Sequence, residues 1–254
     1  MIIVGLSGGI ASGKSTVSRI LRENRIPLVD LDEIASLVVQ KDSPTLKRLA
    51  ADFGPSILNE DGSLNRGELG RLAFSSKERT RALNRITHSA IRRVLIWRLI
   101  RLWLSGAKRV VVDTPLLIEV GLYKWCAEVV IVWCNPEQQR KRMLLRDREK
   151  GLTEDDAESR LAAQMPLDQK VMYADVVIDN SVNATETSPP RLRTDVGKLV
   201  ARWHRESTRP SVILSWLFCW LIPPVGLLWG FVVTCGRAKM YAKRNKARMN
   251  AAPK

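Results

Sequence analysis

Ile2-Ile3-Val4-Gly5-Leu6-Ser7-Gly8-Gly9-Ile10-Ala11-Ser12-Gly13-Lys14-Ser15-Thr16 opens the chain. A β-rich apolar run passes directly into G-x-x-x-x-G-K-[ST], the pattern of a loop that holds a nucleoside triphosphate. The glycines let backbone N–H groups between Gly8 and Thr16 curl around phosphate oxygens. Lys14 can reach the β- and γ-phosphates, and the Ser15 hydroxyl is placed to ligate Mg²⁺. Thr16-Val17-Ser18-Arg19-Ile20-Leu21-Arg22 follows with apolar residues at helical spacing. The loop therefore opens onto a helix N-terminus, whose partial positive charge also favours phosphate.

Outward from this loop, short apolar runs alternate with longer helical patterns: 2–6, 27–30, 109–113, 129–134 and 176–179. That alternation predicts an α/β fold, a five-stranded parallel sheet flanked by helices. Two insertions interrupt it. The first, about 32–106, is mostly helical and Arg-rich. The second, about 146–173, carries Thr153-Glu154-Asp155-Asp156, a capping-box-like start to a helix running toward Gln164. Residues 180–190 read as a loop, and a last helix is expected around 192–205.

The second strand runs into Val29-Asp30-Leu31-Asp32-Glu33. Alternation predicts Asp30 and Asp32 on one side at the carboxyl end of a strand, where α/β proteins place ligands. Asp32 is the expected base for a hydroxyl nucleophile, with Asp30 as its support; the alternative is that both cap the helix that follows. Asp113, ending Val110-Val111-Val112-Asp113-Thr114-Pro115, sits where a Walker-B-type carboxylate addresses Mg²⁺ or its water. Arg140, Arg142 and Arg146 fall on one helical segment, and Arg142 and Arg146, four apart, share a face from which guanidinium groups can clamp a triphosphate.

The 254 residues carry a net charge of +15, which suggests an anionic partner. Seven of the basic residues, from Arg237 to Lys254, follow the last apolar segment with no acidic residue among them. The tail is thus a separate electrostatic feature, and no nucleic-acid partner is expected. Four cysteines without C-x-x-C spacing read as reduced thiols, and two distant histidines suggest no His-based metal cluster. Strand and phosphate loop begin at Met1 in place of a secretory signal, so the catalytic part is expected on the ATP-rich, cytoplasmic side of any membrane.

In combination these blocks resemble the dephospho-coenzyme A kinase family. The resemblance covers about 1–205 and adds Asp30-Leu31-Asp32-Glu33-Ile34-Ala35, Asp61-Gly62-Ser63-Leu64-Asn65-Arg66, Leu83-Asn84-Arg85-Ile86-Thr87-His88, Asp113-Thr114-Pro115-Leu116-Leu117-Ile118-Glu119, Ala162-Ala163-Gln164 and Ala174 to Ser181. It implies ATP-dependent phosphorylation of the ribose 3′-hydroxyl of dephospho-coenzyme A with Mg²⁺, by a P-loop kinase domain with a helical acceptor-substrate insertion and a lid. It carries catalytic roles onto Lys14, Asp32 and Arg146, nucleotide contacts onto Arg142, Arg146 and Asn180, and acceptor contacts onto Asp32, His88, Pro115 and Leu116. Ser7, Ser89 and Val182 depart from the family pattern, where Thr, Pro and Gly are usual. Two other readings share the phosphate loop: a nucleoside or nucleotide kinase, and a membrane-tethered NTPase switch or scaffold.

Beyond a 206–211 linker, residues 212–235 include no charged residue. A helix of that length extends about 36 Å, against about 30 Å for a bilayer core. Pro223-Pro224 divides it into halves of about 16 Å each, too short to span alone. A kinked span would send the basic tail of 236–254 across the membrane, against the bias that keeps Lys and Arg cytoplasmic. A hairpin turning at the prolines would keep it cytoplasmic but expose backbone groups to hydrocarbon. The hairpin is slightly preferred, and membrane lipid is the expected partner of this segment and its tail.

Overall fold

The apolar runs become buried strands because a parallel sheet covered on both faces needs continuous rather than alternating hydrophobicity. In the computed structural model, which describes residues 1–147, 153–181 and 190–208 with 210, 213, 214, 216, 217 and 236, these strands are β1 (Ile2–Gly8), β2 (Leu28–Asp30), β3 (Arg109–Asp113), β4 (Glu128–Trp133) and β5 (Val176–Asp179). Their order is β2-β3-β1-β4-β5. β1 pairs in parallel with β3 and β4, and β4 with β5. All five residues of β3 are buried.

Two compact units divide the chain: 1–28 with 103–254, and 29–102. In the first, α1 (Lys14–Glu23) and α9 (Pro190–Ser207) bury Val17, Ile20, Leu21, Val196, Leu199 and Trp203 with Val4, Leu6, Val111 and Val130 of the sheet. A second cluster gathers Leu117, Ile118, Tyr123, Cys126, Val129 and Ile131; the Cys126 thiol there lies 3.5 Å from the Leu122 carbonyl oxygen. Three further helices belong to this unit: α6 (Pro136–Asp147), α7 (Glu154–Ala162) and α8 (Leu167–Val171). The capping box expected at Thr153 forms, with Thr153 and Asp156 each bonding the other's backbone N–H.

An ionic cluster fixes α9 at the sheet's lower end. Trp203 Nε1 donates to Glu128 Oε2 at 2.9 Å, Arg202 also binds Glu128, and Arg109 lies over the Trp203 ring while pairing with Glu206 at 2.8 Å. The helix therefore belongs structurally to the first unit through Ser207, slightly beyond the expected end at 205.

The second unit contains α2 (Leu31–Val38), α3 (Pro44–Phe53), α4 (Arg66–Ala73) and most of α5 (Lys77–Leu104). Ser43 and Asn65 cap α3 and α4, and Arg98 pairs with Glu33 at 3.1 Å. One expectation fails here. The strand stops at Asp30, so alternation never reaches Asp32: Asp30 accepts the N–H groups of Asp32 at 2.8 Å and Glu33 at 3.3 Å, and that cap starts α2 immediately. Asp30 is the capping residue, and Asp32 stands exposed in the first helical turn.

Among the described residues no helix is long and apolar enough to cross a membrane. Most of the uncharged segment 212–235, with Pro223-Pro224 and the tail from 237 on, lies outside the described residues, as do residues 182–189 of the stretch read as a loop.

Candidate active site

Between the end of β1 and the start of α1, Ala11 at φ 59° and Gly13 at φ 94° adopt left-handed backbone, and this curls the loop back over the helix N-terminus. Side chains from distant parts of the chain hold it. Ile10 N–H donates to Gln164 Oε1 at 3.3 Å, and its carbonyl accepts from Gln139 Nε2 at 2.8 Å. Asn180, buried at the end of β5, donates from Nδ2 to the Ser12 carbonyl at 2.9 Å. A Cβ at Gly9 would collide with Gln139 Nε2, and one at Gly13 with Asn180 Nδ2. Either substitution would displace an amide that braces the loop, and Gly13 is required by its φ as well.

The β1–β3 register sets Asp113 level with Leu6, beside the strand that leads into the loop. Its carboxylate is almost fully buried. Lys14 Nζ lies 2.5 Å from Oδ1, and Ser18 Oγ donates to Oδ2 at 2.5 Å. Two residues further on, the Pro115 carbonyl accepts from Ser7 Oγ at 2.9 Å.

A cavity of about 420 Å³ lies over the loop, lined by Gly9, Ile10, Ala11, Gly13, Lys14 and Ser15 and closed by Pro115, Arg142, Arg146, Arg160 and Gln164. Four cations thus face one space at a helix N-terminus. Such a set of cations at a helix N-terminus suits an anionic chain of phosphates. The exposed Ser15 hydroxyl is a hard oxygen ligand that fits Mg²⁺; Asp113, expected as a second ligand, is buried with its two oxygens taken by Lys14 and Ser18 and does not line the cavity, so it offers none in this arrangement.

The family model for dephospho-CoA kinase matches residues 2–186. The chain belongs to the dephospho-CoA kinase family. An Arabidopsis thaliana dephospho-CoA kinase is 48% identical over 181 residues, 71% of this chain and 77% of that one. A Schizosaccharomyces pombe protein is 37% identical over 229 residues, covering 89% of this chain and 90% of its own length. The crystal structure of a Thermus thermophilus protein superposes with a TM-score of 0.65 at 33% identity, over 79% of this chain and 97% of that one.

As a dephospho-CoA kinase, the protein transfers phosphate from ATP, with Mg²⁺, to dephospho-CoA in the final step of coenzyme A biosynthesis. Of the residues read from the sequence, Lys14, Ser15, Pro115, Arg142 and Arg146 come together on the one cavity. Asp32 and the exposed His88 belong to the other unit, on α2 and α5. Leu116 is partly exposed on the loop after β3, and the Asn180 amide is engaged with the phosphate loop itself. Sequence reasoning gave no role to Ser18, Gln139 or Lys170. Their partners lie 95, 129 and 55 residues away, a separation that no local pattern encodes.

Proposed function

We propose that Lys14, Arg142 and Arg146 carry the triphosphate and neutralise charge as the phosphoryl group moves, while Asp32 accepts the proton of the ribose 3′-hydroxyl. The convergence of Lys14 and three arginines on one cavity supports the first half. Asp113 orients the Lys14 ammonium, and Ser18 in turn holds Asp113. Ser15 would hold Mg²⁺, which when bound would offset the charge of the β- and γ-phosphates. The insertion of about 32–106 is the acceptor-substrate part, with Asp32 and His88 as acceptor contacts on it and Pro115 and Leu116 as acceptor contacts on the loop after β3. Residues of about 146–173 act as a lid, bringing Arg160 and Gln164 over the phosphate loop. Asn180 marks the adenine side while bracing Ser12.

The same reading makes the chain membrane-anchored through 212–235, with the kinase part and the basic tail facing the cytoplasm. Its support is the 24-residue uncharged stretch ahead of seven basic residues. The full chain is expected to sediment with membranes and to resist extraction by high salt, since apolar burial is insensitive to ionic screening whereas polybasic adsorption is not. A chain ending at Thr208, which keeps the Glu206–Arg109 pair, is expected to be soluble and fully active. Release of the full chain by salt alone overturns the anchor. With a tag after Lys254 and sealed membranes, cytoplasmic protease removes the tag from a hairpin and spares it on a spanning helix.

A further inference from the structure

Lys170 has no solvent-accessible surface, although it sits on the five-residue helix α8 close to the molecular surface. Burying an ammonium is costly unless close partners replace its water. Both of its partners lie on the loop that leaves β3: Nζ donates to the Pro115 carbonyl at 2.6 Å and pairs with Glu119 Oε1 at 2.9 Å. Glu119 Oε1 also accepts the Met165 N–H at 3.3 Å.

These contacts join two parts of the phosphate cavity. On one side is the β3 exit loop, which begins at Asp113, the carboxylate that orients Lys14, and continues into Pro115, a residue of the cavity wall. On the other is the segment from α7 to α8, which brings Arg160 and Gln164 to the same cavity, with Gln164 on the Ile10 N–H. Met165 follows Gln164 directly, so the Glu119–Lys170 pair fixes the segment one residue from the contact with the phosphate loop. The Ser7 hydroxyl shares the Pro115 carbonyl with Lys170 and ties the junction to β1.

We infer that Lys170 is a positioning residue for phosphoryl transfer, which through Pro115 and Glu119 holds Arg160 and Gln164 in register with Lys14. A buried ion pair is often replaceable by apolar side chains without loss of stability. A charged junction beside this cavity is therefore better explained by the geometry it imposes than by the stability it adds. Displacement of catalytic groups by about 1 Å can reduce the rate by about a hundredfold without abolishing ground-state binding.

The test compares full-length Lys170→Met, which leaves the Glu119 carboxylate without its ammonium, with Lys170→Met/Glu119→Gln, which removes both charges. Steady-state kinetics with ATP and dephospho-CoA are read alongside thermal unfolding. The double variant is expected to unfold near the wild-type temperature and still lose kcat by about tenfold or more, with KM for ATP within about twofold, because the phosphate-binding groups remain. Recovery of full kcat in the double variant overturns the inference, since charge imbalance alone then accounts for the defect. Failure of the double variant to fold overturns it as well, because the role of Lys170 is then structural. A rise in KM for ATP with kcat unchanged also rejects it.

Discussion

Lys14→Ala is expected to lower turnover by about a thousandfold or more, because the ammonium both binds the β- and γ-phosphates and stabilises charge that develops between them. The structure adds a consequence for stability. Asp113 is buried and is held by Lys14 and Ser18; with the ammonium gone, the Ser18 hydroxyl is its remaining partner of the two. Removing one member of a buried pair costs about 3–5 kcal/mol at the upper end, less here because Lys14 is not fully buried. Lys14→Ala should therefore unfold at a lower temperature than wild type. Lys14→Ala/Asp113→Asn, which removes the stranded charge, should recover much of that loss and remain inactive. Turnover and thermal unfolding measured on both variants separate catalysis from folding, and near-normal turnover in a folded Lys14→Ala would reject the phosphate-loop assignment.

Asp32→Asn is expected to reduce kcat by about a hundredfold or more, within the range for a positioned base, with little change in KM for ATP. The cap at α2 makes this comparison clean. Asp30, not Asp32, receives the first N–H groups of the helix, so Asp32→Asn leaves the cap untouched. Asn is itself a good N-cap, so Asp30→Asn should fold normally as well. The two variants then differ in which carboxylate is lost at constant local structure. If Asp30→Asn loses turnover while Asp32→Asn keeps it, the base has been assigned to the wrong member of the pair.

The parts of the fold legible in the sequence were those written in local pattern. The strand at Ile2 and the helix after Gly13 follow from an apolar run and a glycine-rich loop, and the Thr153 cap from a four-residue spacing. Asp32 was misplaced on a strand for an equally local reason: period-two alternation and a helix N-cap look alike over Val29-Asp30-Leu31-Asp32, and the Asp30 carboxylate decides between them only once its hydrogen bonds are seen. The groups around the phosphate loop were legible where a motif names them, as with Lys14 and Ser15. Gln139, Gln164 and Lys170 act through backbone atoms of Ile10 and Pro115, and a backbone partner leaves no trace in the identity of the residue that supplies it. Ser18 illustrates the intermediate case: it falls on the buried face of α1, where helical periodicity predicts an apolar residue, and its hydroxyl is there for Asp113.

The burial of Cys126 bears on the redox chemistry of the enzyme's own metabolites. Dephospho-CoA and coenzyme A both end in a thiol, so a kinase that binds them is exposed to their disulfides whenever the surrounding pool is oxidised. Exchange requires a thiolate. Burial, and after it the nearby Asp175 carboxylate, push the Cys126 thiol up to about 12, and burial raises that of Cys134 as well. At pH 8 the Cys126 thiol is therefore held protonated. Mixed disulfides with oxidised coenzyme A therefore have no competent attacking group at this position while the protein is folded. Native enzyme incubated with coenzyme A disulfide at pH 8 should show no adduct on Cys126 by peptide mass spectrometry, whereas urea-unfolded protein should be modified readily; rapid labelling of the native thiol would mean that the strand-end cluster opens far more often than its packing implies.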